Sequence, residues 1–567
     1  MTDPDAPPGP SAAQQDPAQQ DPAQPDPAQP DSAANANGRS ARVPFLSVLT
    51  VVDSADALRG IDGTFASLEE QTDSGWQWCV VVTADVASGA AEILGRLVGG
   101  DLRCPIIAAP GESLAAANAT ALSVATGVNV GFVDAGDQLD VNTVKVLRRE
   151  VPPGRWAYSD EAKVNDFGGV TQTWFKSEYS PEMLLSQPYA VRLAVLPRRI
   201  VEANGFSEEA GSACNYDVVL RVSEQCGPAV HVLGPYYLHG PLTPDHAPPY
   251  VEALPQDRCR VVARALERRG RHVLVRPVEV AGRALGQQVV RTPLRTPKVS
   301  IVIPTRGSSS LIFGFDRCHV VDLVTELWSA DRYVDLELVV VHDTSTPAWV
   351  IEEIERVTDG HWVSVEFHGP FNFSRKCNAG ALAAGGEYLC FLNDDVEIVT
   401  RNWLDQLVSL LDDPDVGAAG LRLSFADGTL QHAGHLYDGG NAGHLMFGEA
   451  SDSLSWGGAA HLAGERSGVT AACLLMRTED FQEIGGFSEQ FPLNYNDVDL
   501  CLKIRSLGRR IVYTPHAQMY HFESQTRVPV VTNQELVRMR RRWLPWLETD
   551  PFLNPLVRAK PLVGWGR

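Results

Sequence analysis

Nowhere does this chain approach the roughly 18 consecutive apolar residues that a membrane-spanning helix needs, so a helical integral membrane protein is not expected. Paired cysteines are missing as well. The 10 cysteines stand singly, without CxxC spacing and outside any small secreted frame; they read as reduced, mostly buried thiols. Basic residues are in deficit, 48 Lys and Arg against 70 Asp and Glu, for a formal net charge of −22. That balance excludes a general nucleic-acid binder, which requires a basic face. Residues 1–43 have almost nothing to bury: DPAQQ, DPAQP and DPAQP run in tandem from Asp16 to Pro30. They read as a disordered tail. The tail lacks the basic start and apolar core of a secretory signal, so the expected location is the cytoplasm, with a peripheral place at the inner face of the membrane left open.

What is present is concentrated in Pro370–Ile398, PFNFSRKCNAGALAAGGEYLCFLNDDVEI. A small-residue helix runs into the apolar stretch Tyr388–Leu392, which has the composition of a buried parallel strand and stops on Asn393, Asp394 and Asp395. Ligands in open α/β sheets collect at such strand ends, and these side chains are hard oxygen donors suited to Mg²⁺ or Mn²⁺. The alternative is an acidic turn capping the next helix, around Thr400 to Leu411. Two further apolar runs, Lys298–Pro304 and Leu336–His342, flank a helical stretch, and the second ends on Asp343. The β-α-β order predicts the parallel sheet of a nucleotide-binding fold. Asp343 is placed to accept hydrogen bonds from a base or ribose, or else belongs to the turn DTSTP.

In Gly485–Lys503, GGFSEQFPLNYNDVDLCLK, a Gly-Gly turn and an aromatic-rich loop lead into a helix beginning near Asp497. First-turn carboxylates are favoured by unpaired N–H groups, and capping is the reading for Asp499. Asp497 reads as a general base, because deprotonating a sugar hydroxyl needs a carboxylate held beside the reacting centre.

With these motifs in order, Val299–Arg527 resembles a family-2 glycosyltransferase domain of GT-A fold, of the sort found in bacterial rhamnosyltransferases and in O-antigen or cell-wall glycan assembly. IPT (Ile303–Thr305), FNFSRKCNAG (Phe371–Gly380), NDD, GTLQHAG (Gly428–Gly434), TAACLLMR (Thr470–Arg477), NDVDLCLK (Asn496–Lys503) and YTPHAQMYHFESQTR (Tyr513–Arg527) carry the resemblance. So does the ending RWLPWLETDPFLNP. The resemblance implies Asp497 as catalytic base and Asn393, Asp395 and His521 as ligands of Mg²⁺ or Mn²⁺. It also implies Pro304, Thr305, Asp343, Asn372, Arg375, Asn378 and Asp394 around a nucleotide-sugar donor. The implied reaction is inverting transfer from dTDP-rhamnose or a UDP-hexose to a lipid-linked or polysaccharide acceptor. Asn393 departs from the first Asp of the usual DxD, and Asn496 stands where Glu is frequent.

A length of 567 residues exceeds the roughly 250–300 at which single cores stop growing, and the first half supplies a second domain. Phe45–Val52, Trp78–Thr83 and Val128–Asp134 repeat the strand order, and Glu112–Thr126 stands where FSRKCNAGALAAG stands later. This indicates internal duplication. Laid over FLNDDVEI, FVDAGDQL puts Asp134 on Asn393 and Gly136 on Asp395; CNYDVVLR puts Asn215 on Asp497 and Asp217 on Asp499. An amide cannot serve as base, so the first half reads as degenerate, a scaffold, acceptor-binding or dimer-forming domain. A one-residue shift would restore Asp137 as a ligand. YSDEAKV (Tyr158–Val164) and WFKSEYSPEMLLSQPY (Trp174–Tyr189) resemble first-domain segments of two-domain relatives.

The expected α/β architecture is therefore a disordered tail (1–43), a degenerate GT-A-like, Rossmann-like domain (44–240), a connector (241–297) with Pro-rich HAPPY and a helix around Gln256–Arg269, a catalytic GT-A domain (298–530), and a helical tail (531–567). RMRRRW (Arg538–Trp543) is a candidate membrane-surface or phosphate contact. The spacing of His432, His435 and His444 matches no common zinc site and favours a glycine-rich binding loop. Rival readings are a non-catalytic glycan-binding or scaffold protein, and a nucleotidyltransferase, for which IPTRGSSS is a poor phosphate loop.

Overall fold

A computed structural model describes residues 43–84, 86–109, 111, 113–241, 253–329, 333–522 and 531–557. The repetitive tail up to residue 42, Glu112, the HAPPY segment, the end of the closing motif (523–527) and residues 558–567 lie outside the described residues.

The apolar runs fold into two sheets with one topology. Edge to edge, the first is Ile106–Ala108, Trp76–Val82, Leu46–Val52, Asn129–Phe132, Ala194–Pro197, Ala157–Val164, Val230–His239 and Gln138–Leu139. The second is Val363–Phe367, Leu336–Asp343, Val299–Thr305, Tyr388–Leu392, Cys473–Arg477, Val416–Ser424, Arg510–His521 and Val396–Ile398. The sheets are mixed rather than parallel throughout, which corrects the expectation from β-α-β order alone. In each, the fifth strand enters antiparallel to both of its neighbours. Successive strand residues point to opposite faces, so each sheet feeds two cores. Leu49, Cys79 and Val81 enter one and Val48, Val80 and Val82 the other; Ile301 and Ile303 oppose Val302 in the same way.

The registers fix which residues correspond. Leu46 faces Trp76 and Asn129 as Val299 faces Leu336 and Tyr388. Gln138 pairs with Leu238 as Glu397 pairs with Tyr520. Asn129 to Gln138 and Tyr388 to Glu397 are stretches of equal length, so Gly136 corresponds to Asp395 and Asp137 to Val396 with no shift. In the same frame Val52, Thr83, Ala117 and Ala135 stand at Thr305, Asp343, Lys376 and Asp394. The two corresponding helices capped by Ser113 and Asn372 each lead to a glycine whose N–H bonds a strand serine, Gly127 to Ser47 and Gly386 to Ser300.

His239, the counterpart of His521, keeps a different company. Its Nε2 lies 2.7 Å from Glu161, and its Nδ1 lies 3.4 Å from Asp137. Glu161 also meets Lys176 at 2.5 Å, and Asp137 accepts from Tyr237 Oη at 2.6 Å and Gly240 N at 2.9 Å. Burial alone would lower the imidazole, but bonds and charges from Asp137 and Glu161 lift it to about 9. A raised histidine stabilises the fold fully below its unfolded value and loses that contribution as pH climbs through the folded one. Stability should therefore fall by about 3 kcal/mol between pH values of about 6.5 and 9. Thermal unfolding across that window should show the loss in the wild type and a flatter profile in His239→Gln; parallel profiles would contradict it.

Between the halves, the helix Pro255–Arg268 is followed by the hairpin Leu274–Val280 and Arg283–Val290. The basic residues of RRGRH (Arg268–His272), at the end of this helix, include two engaged in ion pairs, Arg268 with Glu224 at 2.8 Å and Arg271 with Asp412 at 2.7 Å. Glu465 of the second half accepts from Glu182 N of the first at 3.1 Å and pairs with Arg510 at 2.5 Å. Asn554 reaches back to Asp160 at 2.9 Å. No described helix is long and apolar enough to cross a membrane.

Candidate functional site

A cavity of about 360 Å³ opens at the carboxyl ends of Val299–Thr305 and Tyr388–Leu392, where ligands gather in such sheets. Its wall brings together Pro304, Thr305, Asn393, Asp394, Asp395, Asp497 and His521, which are far apart in the chain.

One side is built on Lys376, a residue the sequence reading passed over. Its fully buried ammonium donates to Thr305 O at 2.6 Å and pairs with Asp343 at 2.9 Å, tying together two adjacent strand ends. Thr305 in turn donates to Asp394 at 2.5 Å. Replacing Lys376 by Met removes a charge-assisted donor and should lower stability by about 2 kcal/mol. A fall in the urea midpoint at unchanged slope would show this, and an unmoved midpoint would refute it.

The adjacent carboxyls Asp394 and Asp395 are driven apart. Burial, then the charge of Asp395, raises Asp394 to about 7. Burial also acts on Asp395, but the charge and hydrogen bond of His521 more than offset it and hold Asp395 low. Asp395 is thus the ionised member. Its Oδ1 lies 3.1 Å from His521 Nε2, and Asn393 Nδ2 lies 3.1 Å from the same nitrogen. On the far side of the ring, His521 Nδ1 bonds Gln431 Oε1 at 2.7 Å; an outer partner of this kind leaves Nε2 as the atom available to a metal. Asn393 Oδ1 is buried without a hydrogen-bond partner. A carboxylate and an imidazole nitrogen therefore meet beside an amide whose oxygen has no partner, residue types that fit a divalent ion.

Asp497 sits in the helix Asn496–Ser506, one residue later than its first turn begins. Tyr495 before it adopts φ 60°, a left-handed conformation that costs an aromatic residue about 1–2 kcal/mol. The Asp497 carboxylate accepts from Val498 N at 2.8 Å and from Ala471 N at 3.3 Å and is largely buried. Behind it, His432, His435 and His444 present ring nitrogens within 4.8 Å of one another, a convergence their spacing did not reveal. Burial pushes all three well below the usual imidazole range, His435 and His444 to about 3. His444 also lines the cavity.

Other expected residues lie elsewhere. Asn372 caps its helix and bonds Glu489 O at 3.0 Å. Arg375 lies 3.7 Å from Glu489, and Asn378 clamps Phe487 through both backbone atoms. None of the three lines the cavity, whereas Phe371, Phe373 and Lys376 from the same segment do. The capping reading of Asp499 is corrected: the side chains that accept from first-turn N–H groups are Asn496 and Asp497, and Asp499 accepts from Trp543 Nε1 at 2.8 Å and meets Arg542 at 3.0 Å. With Arg540 bonded to Gly440 O at 2.9 Å and Arg538 to Gln490 O at 3.1 Å, much of RMRRRW anchors the C-terminal helix Asn533–Glu548.

Known proteins are similar to this chain. The model of the family described as glycosyltransferase like family 2 matches residues 297–545. The chain is 31% identical over 540 residues to O-antigen biosynthesis protein RfbC of Myxococcus xanthus, covering 92% of this chain and 41% of that protein. It is 28% identical to the uncharacterized protein y4gI of Sinorhizobium fredii (strain NBRC 101917 / NGR234), covering 90% of this chain and 57% of that one. The chain thus spans about half the length of the curated relatives it matches. Among solved structures, GalNAc-T7 with UDP, GalNAc and Mn²⁺ is 15% identical with a TM-score of 0.35, over 44% of this chain and 49% of that chain. Residues 297–545 match the family described as glycosyltransferase like family 2, on a mixed α/β sheet whose strand order the first half repeats.

Proposed function

We propose that the second half is an inverting glycosyltransferase that moves a sugar from a nucleoside-diphosphate donor, dTDP-rhamnose or a UDP-hexose, to a glycan or lipid-linked acceptor. The observation that carries this reading is the meeting of Asp395 and Asp497 on one cavity wall. Asp497 takes the proton of the acceptor hydroxyl as that oxygen attacks the anomeric carbon from the face opposite the leaving group. Backbone N–H groups of Val498 and Ala471 hold the carboxylate in place. Asp395, Asn393 Oδ1 and His521 Nε2 would hold Mg²⁺ or Mn²⁺, which when bound offsets charge on the departing diphosphate. Asp343 and Thr305, locked together through Lys376, orient the nucleoside. A single carboxylate then suffices, since no general acid of the glycosidase kind is required. The name of the Myxococcus relative, an O-antigen biosynthesis protein, supports a cell-surface glycan as acceptor.

Calorimetric titration with UDP, dTDP and GDP, with Mn²⁺ and with EDTA, tests the reading. One nucleotide should bind at least tenfold more tightly with Mn²⁺, and Asp395→Asn should erase the difference. Binding of none of the three would overturn it.

A further inference from the structure

The first half has its own cavity, of about 300 Å³, at the strand ends that correspond to the proposed donor site. Its chemistry differs. The residues at Thr305, Asp343, Lys376, Asp394 and Asp395 are Val52, Thr83, Ala117, Ala135 and Gly136, none of which can hold a metal or a diphosphate through a charged side chain. In both halves the antiparallel fifth strand fixes the preceding segment: Gly131 pairs with Val195 as Cys390 pairs with Leu475. Arg192 therefore stands where Ala472 stands, and its guanidinium pairs with Asp134. The one cation among the described residues of this wall is thus matched by a carboxylate, and exposed Asp53 adds a further negative charge at the rim. A nucleoside diphosphate would bring several negative charges into a cavity without net positive charge.

The remaining groups suit a neutral polyol. Asn118 Nδ2, bonded to Leu114 O at 3.0 Å, also donates to Asn215 Oδ1 at 3.2 Å, and both residues line the cavity beside the Arg192–Asp134 pair, over an apolar wall that includes Leu49 and Phe132. Amides and carboxylates both accept from hydroxyls and amides also donate, while an apolar wall covers the C–H face; a few placed polar groups in an apolar concavity are the usual make-up of a ligand site. We propose that this cavity binds an uncharged pyranose unit of a glycan, without metal and without nucleotide. It thereby gives the chain a second hold on its acceptor. The identification with the acceptor rests on the function proposed above; the sugar site itself does not.

Saturation-transfer NMR on the full chain tests it. The probes are the methyl glycosides of L-rhamnose, D-glucose, D-galactose, D-mannose and N-acetyl-D-glucosamine, with EDTA and excess UDP, dTDP and GDP present. At least one glycoside should receive saturation, and Asn215→Trp, which fills the cavity, and Asp53→Arg, at an exposed position that leaves the core intact, should each cut it at least fivefold. Three results would overturn the proposal: no transfer to any glycoside, transfer indifferent to both substitutions, or nucleotide binding that Asn215→Trp removes. Failure of the proposed enzymatic function would appear instead as absent nucleotide binding in the calorimetric titration, with this signal untouched.

Discussion

Replacing Asp497 by Asn is expected to cut sugar transfer by about 10³-fold, within the range of roughly 10² to 10⁴ that a positioned general base supplies. The substitution is nearly isosteric. The introduced amide keeps an oxygen for Val498 N, which in the wild type lies 2.8 Å from Asp497 Oδ1, so the helix start and the left-handed Tyr495 should persist. What is lost is the capacity to take a proton at neutral pH. The signature is a collapse of kcat with nucleotide affinity close to wild type, while the amide nitrogen left facing Ala471 N should lower stability by about 1–3 kcal/mol. Because a lost base removes an interaction made in the transition state, kcat and kcat/KM should fall together. Equal transfer by the variant would assign the proton to another group.

The second large effect is expected at Asp395. Asp395→Ala removes the ionised carboxylate from the Asn393–Asp395–His521 set and leaves an orphaned amide oxygen and an imidazole, too little to hold a divalent ion against water. Transfer should fall by about 10²- to 10³-fold, the scale seen when one electrostatic stabiliser of a developing charge is removed. In contrast to Asp497→Asn, nucleotide affinity should fall with it, and added Mn²⁺ should no longer raise activity. An Asp395→Ala variant that still responds to Mn²⁺ would place the metal elsewhere.

The parts legible in the sequence are those written in local pattern. Apolar runs such as LELVVVH and YLCFL declare buried strands, and polar residues directly after them mark strand ends; Asp394 and Asp395 are found in this way and Asp497 from the start of a helical pattern, and all three lie on one cavity. The duplication is equally readable, because each half keeps the period of strands and turns. Lys376 escapes such a reading because a lysine among small helical residues looks solvent-facing; only the folded chain shows its ammonium between Thr305 and Asp343. Its sole local signal is its place four residues before Gly380, the i,i+4 spacing that puts it on one helix face with that buried glycine. Asp499 misleads for a related reason. A first-turn carboxylate satisfies the local rule for capping, while its actual partners, Trp543 and Arg542, lie on a helix far later in the chain. Arg192 illustrates the limit in the first half: nothing near it in sequence predicts that it pairs with Asp134 at the position where the second half keeps Ala472.

If sugar transfer belongs to the second half and the first has lost it, as proposed, the two halves must answer differently to the loss of one carboxylate each. Turnover of UDP-, dTDP- and GDP-sugars with Mn²⁺ should be measured side by side for the wild type, Asp497→Asn and Asp137→Asn, each normalised to folded protein. One donor should be consumed by the wild type and by Asp137→Asn, and by Asp497→Asn only at the thousandfold lower level. A donor whose turnover survives Asp497→Asn and disappears in Asp137→Asn would contradict the assignment and make the first half an enzyme.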